Sequence, residues 1–135
     1  MYSESVCRER YMRFPTNWPQ GCPPQDASDA EGCFYRCVES SPPTEVDFKS
    51  AAELGRCPTA PACQRVGLSL LPTVEDAKHQ MQLFPAKNKY IAKGTLQPEH
   101  GKIKKTPSAK QPEHHTWWPF EDVKREEMFI VCEPQ

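Results

Sequence analysis

The sequence is first informative in what it lacks. No apolar run approaches the ~20 residues that cross a bilayer. The N-terminus, Met1-Tyr2-Ser3-Glu4-Ser5-Val6-Cys7-Arg8, has no apolar centre of the kind a secretory signal needs. A cytoplasmic protein is expected, its seven cysteines reduced thiols, and the odd count argues against a complete disulfide framework. Hydrophobic residues make up only 37% of the chain, which excludes a large core. No charge of either sign dominates: the formal net charge is -1, so no global field draws the chain to nucleic acid or to an anionic membrane. The six glycines build no phosphate-cradling loop, the four histidines no metalloprotease pair, and no serine occupies a nucleophile elbow. The common motifs of catalysis are missing.

Proline is what the chain has in plenty: 15 residues in 135, about twice the ordinary share. Each one biases the residue before it away from helix. Residues 1–32, with Pro15, Pro19, Pro23 and Pro24, therefore read as an extended segment packed on a domain spanning 33–135, with Trp18 plugging the core from outside. Within that domain, strands are expected at Phe34–Val38, Val66–Leu71, Tyr90–Leu96, His115–Trp118 and Met128–Cys132. Thr44 followed by Asp47, and Thr73 followed by Asp76, are helix-start patterns. They predict a helix from Glu45 to about Leu54, with Val46, Ala51 and Leu54 inward and Gly55 as its stop, and a second helix to about Leu83. A short third helix fits between Phe120 and Glu127. The Lys- and Pro-rich stretch at about 97–113 reads as a mobile loop. The fold class is α+β: one small domain of about five short strands, two or three helices and long Pro-rich loops.

Four features bear on the chemistry. His114-His115-Thr116-Trp117-Trp118 concentrates histidine and tryptophan on one strand. Large aromatics supply burial, and their faces can also stack on a base or a cation. With Tyr35, these histidines and tryptophans are candidates to line a ligand pocket. Arg36 interrupts an apolar strand: simple alternation turns it to solvent, whereas a buried Arg36 would grip a carboxylate or phosphate with its planar fork. Cys33, Cys37, Cys57 and Cys63 do not have the spacing of a common zinc knuckle, so no metal is expected. Lys87 to Lys110 holds seven lysines against one acid, a solvated face or a polyanion-binding strip.

Tyr35-Arg36, Pro42-Pro43-Thr44 leading to Asp47-Phe48 and Ser50, and Gly67-Leu68-Ser69 ahead of a helix containing Ala77 form a recognisable order. It resembles parts of compact bacterial ADP-ribosyltransferase-fold domains, and also small uncharacterised bacterial proteins. The first resemblance covers about residues 34–133 and implies a triad of Arg36, Ser69 and Glu133. In it the Arg grips the phosphate or ribose part of NAD, the Ser shapes the nicotinamide site and the Glu engages the ribose during transfer. The residues alone support a small binding or interaction module without established catalysis, without a cofactor, and with a protein or small ligand as partner. The alternatives are the NAD-using transferase, as a toxin or defence component, and a nucleic-acid binder working through Lys87–Lys110.

Overall fold

The computed structural model describes residues 12–134, and the side chains of 12–132. Among these residues seven strands form two antiparallel sheets, and the connections between strands carry three α-helices, an α+β architecture. The strands are β1 (Ser28–Asp29), β2 (Gly32–Val38), β3 (Leu68–Leu70), β4 (Tyr90–Leu96), β5 (Gly101–Lys105), β6 (His115–Pro119) and β7 (Phe129–Pro134). The four-stranded sheet runs β1-β5-β6-β3 and the three-stranded sheet β2-β4-β7. The helices are α1 (Ala51–Leu54), α2 (Ala62–Arg65) and α3 (Val74–Leu83). No helix among the described residues is long and apolar enough to cross a membrane.

Period-2 alternation sorts the side chains. Phe34 and Val38 on β2, Ala92 and Leu96 on β4, and Phe129 on β7 meet Leu68, Leu70, Ile103 and Trp117 from the other sheet, making the main core. The opposite face of the smaller sheet is solvated at Cys33, Lys93, Thr95 and Ile130 and covered only at one end. There Tyr35, Cys37 and Ile91 pack on Ala77 and Met81 of α3. Arg36 alternates onto the core-facing side with Phe34 and Val38, so alternation does not turn it to the solvated face. The two sheets are joined directly where Tyr35 and Leu71 exchange both backbone hydrogen bonds, at 2.8 and 2.9 Å.

The structure departs from the sequence reading in several places. The helix expected from Glu45 to Leu54 is two pieces, a 3-10 turn at Glu45–Phe48 and then α1. Thr44 and Asp47 start the first as anticipated, but Ser50 caps again: its hydroxyl accepts from Glu53 N–H while the Glu53 carboxylate accepts from Ser50 N–H. A second cap resets the axis. Val46 is left exposed at 60%, and Phe48 is the buried residue. Gly55 does stop α1, in the left-handed conformation at φ +68°.

The stretch read as a loop at 97–113 contains β5. Gly101-Lys102-Ile103-Lys104-Lys105 alternates, with Ile103 in the core and Lys102 and Lys104 paired to Asp29 and Asp26 across on β1 and beside it. Gly101 has φ +129°, and a Cβ there would strike the Trp118 carbonyl, so the strand must begin on glycine. The cysteines are not all thiols: Cys22 and Cys63 form a disulfide that ties the Pro-rich segment to the residues ahead of β3. This also removes Cys63 from any four-sulfur set. Phe14 lies between Trp18, at 5.4 Å, and Phe120, at 4.7 Å. Residues 1–11 lie outside the described residues, as does the Glu133 side chain.

Candidate functional site

Ser69 is the middle residue of β3, an edge strand, and the exposed one between buried Leu68 and Leu70. Its hydroxyl meets His114 Nε2 at 2.7 Å. His114 stands just before β6, and the 45 residues separating it from Ser69 are folded away by the pairing of Ser69 with Thr116. On the far side of the ring, Nδ1 lies 2.9 Å from Thr106 Oγ1 and 3.2 Å from the Thr106 carbonyl oxygen. A carbonyl only accepts, so this environment places the proton on Nδ1 and leaves Nε2 to accept from the serine. Thr106 Oγ1 is in turn 2.7 Å from Thr116 Oγ1, which is buried. Burial lowers the His114 pKa below its ordinary value, the nearby His115 and Arg36 charges act in the same direction, and the bond to the Thr106 backbone opposes them. The ring is neutral at pH 7.

Two hollows meet at Ser69. One, of about 530 Å³, is walled by His114, Leu83, Phe84, Pro107, Ala109 and Gln80. The other, of about 290 Å³, is bordered by Arg36, Lys49, Arg56 and Lys87, with Phe84 and Gln80 shared between the two. No carboxylate borders this second hollow among the described residues. The same four cations also edge a smaller recess of about 220 Å³ where Glu39 and Asp47 appear. There the Asp47 carboxylate accepts from the backbone N–H groups of Glu39 and Thr44, both at 2.9 Å. Phe84 is 50% exposed, an aromatic face at the lip.

Arg36 is neither the solvent-facing residue nor the free anion grip that the sequence allows. Its Nε donates to the Asp47 carbonyl and its Nη1 to the Ser69 carbonyl, both at 2.9 Å, with its Cζ 5.2 Å from the Phe48 ring centre. The guanidinium is crowded although the residue as a whole is half-buried, and desolvation pulls its pKa to about 10, against the raising influence of Cys37 and Asp47. It stays charged. Burial pushes the neighbouring Cys37 thiol up to about 11, so it is a protonated thiol, donating to the Ala77 carbonyl at 3.4 Å, and not a nucleophile.

Of Tyr35, His114, His115, Trp117 and Trp118, only His114 borders either hollow at Ser69. Trp117 and Trp118 are buried to within 1% and present no stacking face; their indole N–H groups donate to the carbonyls of His100 and Cys63. The His115 ring lies against Phe34 at 5.4 Å. Tyr35 serves through its backbone, joining the sheets. Arg36 and Ser69 are brought together, through the serine carbonyl. Glu133 pairs its backbone with Ile91 on β4. The lysine strip is partly neutralised: Lys102, Lys104 and Lys105 pair with Asp29, Asp26 and Glu113. No group of three or more His, Cys, Asp or Glu is placed to hold a metal ion among the described residues.

Sequence reasoning missed the Ser69–His114 contact and the basic hollow. Lys49, Arg56 and Lys87 come from separate stretches, so no local motif announces them. The one legible signal was the lone polar residue inside Leu68-Ser69-Leu70. The chain matches no protein-family model, no curated protein and no solved structure.

Proposed function

We propose that this chain is a small binding module for an anionic, phosphate-bearing ligand seated in the basic hollow beside Ser69. The observation that carries the reading is the set of four cations, Arg36, Lys49, Arg56 and Lys87, around a concavity with no bordering carboxylate. Such a wall concentrates anions and strengthens their hydrogen bonds where water is partly excluded. Phe84 supplies the apolar face on which a base or other flat group would lie. The disulfide favours an oxidising compartment over the cytoplasm expected from the sequence. The test is calorimetric titration with inorganic pyrophosphate and with NAD. Wild type should bind at least one of them, at least about tenfold more tightly than Arg56→Glu/Lys87→Glu, the gap shrinking as salt rises. A folded protein that binds neither would remove the reading.

A second reading, an ADP-ribosyltransferase-like activity, draws support from one contact: the Arg36 guanidinium reaches Ser69 across the seam between the sheets. It requires NAD binding, release of nicotinamide and loss of that release in Glu133→Gln. NAD binding without turnover would leave the binding module alone. The nucleic-acid reading draws no such support, because the β5 lysines already have acidic partners.

A further inference from the structure

We infer that Ser69 and His114 form a nucleophile–base pair that accepts acyl groups from carboxylic esters, an activity that goes beyond anion binding. A serine hydroxyl is a weak nucleophile unless a positioned base takes its proton, and the base must be within hydrogen-bond reach with its own far nitrogen held. The 2.7 Å contact meets the first condition and the Thr106 carbonyl, at 3.2 Å from Nδ1, the second. Ser69 is also exposed, between two hollows, whereas a serine serving only to brace a loop has no need of open space beside its oxygen. Leu83, Phe84, Pro107 and Ala109 give the larger hollow an apolar side suited to a short acyl chain. The Gln80 carboxamide, on the border of both hollows, is the donor for the carbonyl oxygen as charge develops there, with the Arg36 charge on the border of the smaller hollow.

The step balances without a co-reactant other than water. The Ser69 hydroxyl proton passes to His114 Nε2 as Oγ bonds to the ester carbonyl carbon. The carbon–oxygen bond to the alcohol then breaks, and the Nε2 proton leaves with the alcohol. Water, deprotonated by the same nitrogen, attacks the acyl-serine and releases the carboxylic acid, restoring the serine.

A neutral fluorophosphonate ester tests this independently of the anion site. Its phosphorus should bond to Ser69 Oγ with loss of fluoride, giving one adduct per chain by intact mass, mapped to Ser69 by peptide sequencing. His114→Ala, shown by circular dichroism to keep its fold, should label at least about 100-fold more slowly. p-Nitrophenyl acetate hydrolysis should fall to the buffer rate in Ser69→Ala. Absence of the Ser69 adduct in wild type overturns the inference, as does labelling that persists unchanged in folded His114→Ala. Pyrophosphate binding by a protein that the fluorophosphonate does not touch would end the inference and leave the binding module standing. Labelling without anion binding would do the reverse.

Discussion

β6 and β3 run side by side over three paired positions, Leu68 with Trp117, Ser69 with Thr116 and Leu70 with His115. β6 has a strand on each side, and its tryptophans are sealed in with both indole donors satisfied. β3 ends the sheet. An edge strand leaves backbone groups without ladder partners, and other donors must meet them. Arg36 does so for the Ser69 carbonyl, crossing from the neighbouring sheet. The difference explains an otherwise costly buried guanidinium, and why the open polar site adjoins β3. The largest and rarest side chains mark where the protein is closed. The chemistry lies one strand over, on a serine.

The hardest way to break this contrast is at the closed end. Trp117→Ala removes a fully buried ring that packs near Phe129 at 6.1 Å and leaves the His100 carbonyl without its donor. A loss of about 3–5 kcal/mol is expected in urea unfolding. If Trp117 were instead a ligand platform, stability would barely change and binding would collapse.

The same contrast shows how much was legible beforehand. Strands with strong β-formers and clear alternation were foreseen near their true positions: Phe34–Val38, Tyr90–Leu96, His115–Trp118 and the last one. α3 was foreseen from Thr73, whose hydroxyl does accept from Asp76 N–H. β5 was not, because its alternating residues are lysines, whose charge is compensated by acids over 70 positions away. Ser50 split a helix because a local cap outcompeted continuation. At the site, Arg36 and Ser69 were singled out, but their contact runs through a backbone carbonyl that no sequence pattern displays. His114 was paired in expectation with the tryptophans next to it, when register delivers it to Ser69. Chain neighbours were visible and sheet neighbours were not.

Arg36→Met tests the seam with a smaller effect. Methionine keeps much of the volume under Phe48 but leaves the carbonyls of Asp47 and Ser69 without their donors, a cost of about 1–3 kcal/mol. Labelling of Ser69 should also slow, because β3 loses the tie that fixes its edge. Thermal unfolding unchanged from wild type would mean that the edge strand needs no donor, and the account of Arg36 would fail.

The smallest effect, a pH dependence, bears most directly on the open side. The His114 pKa is depressed in the folded protein, first by burial and then by the His115 and Arg36 charges that face it. Folding therefore favours the neutral ring. Above the unfolded value of about 6.5 both states hold it neutral and its contribution to stability is complete. As pH falls below 6.5 the unfolded chain takes up the proton first, and that contribution is lost as pH drops through the folded value. The melting temperatures of wild type and His114→Gln, followed from pH 8 to pH 5, isolate this residue, since the two proteins differ only there. Wild type should lose ground against the variant over the lower part of that range, and a constant gap would contradict the burial of a neutral imidazole. A protonated ring can still donate to Ser69 Oγ, so the 2.7 Å contact survives acidification while the serine loses its base. Fluorophosphonate labelling should thus fade with acid while the fold is still intact.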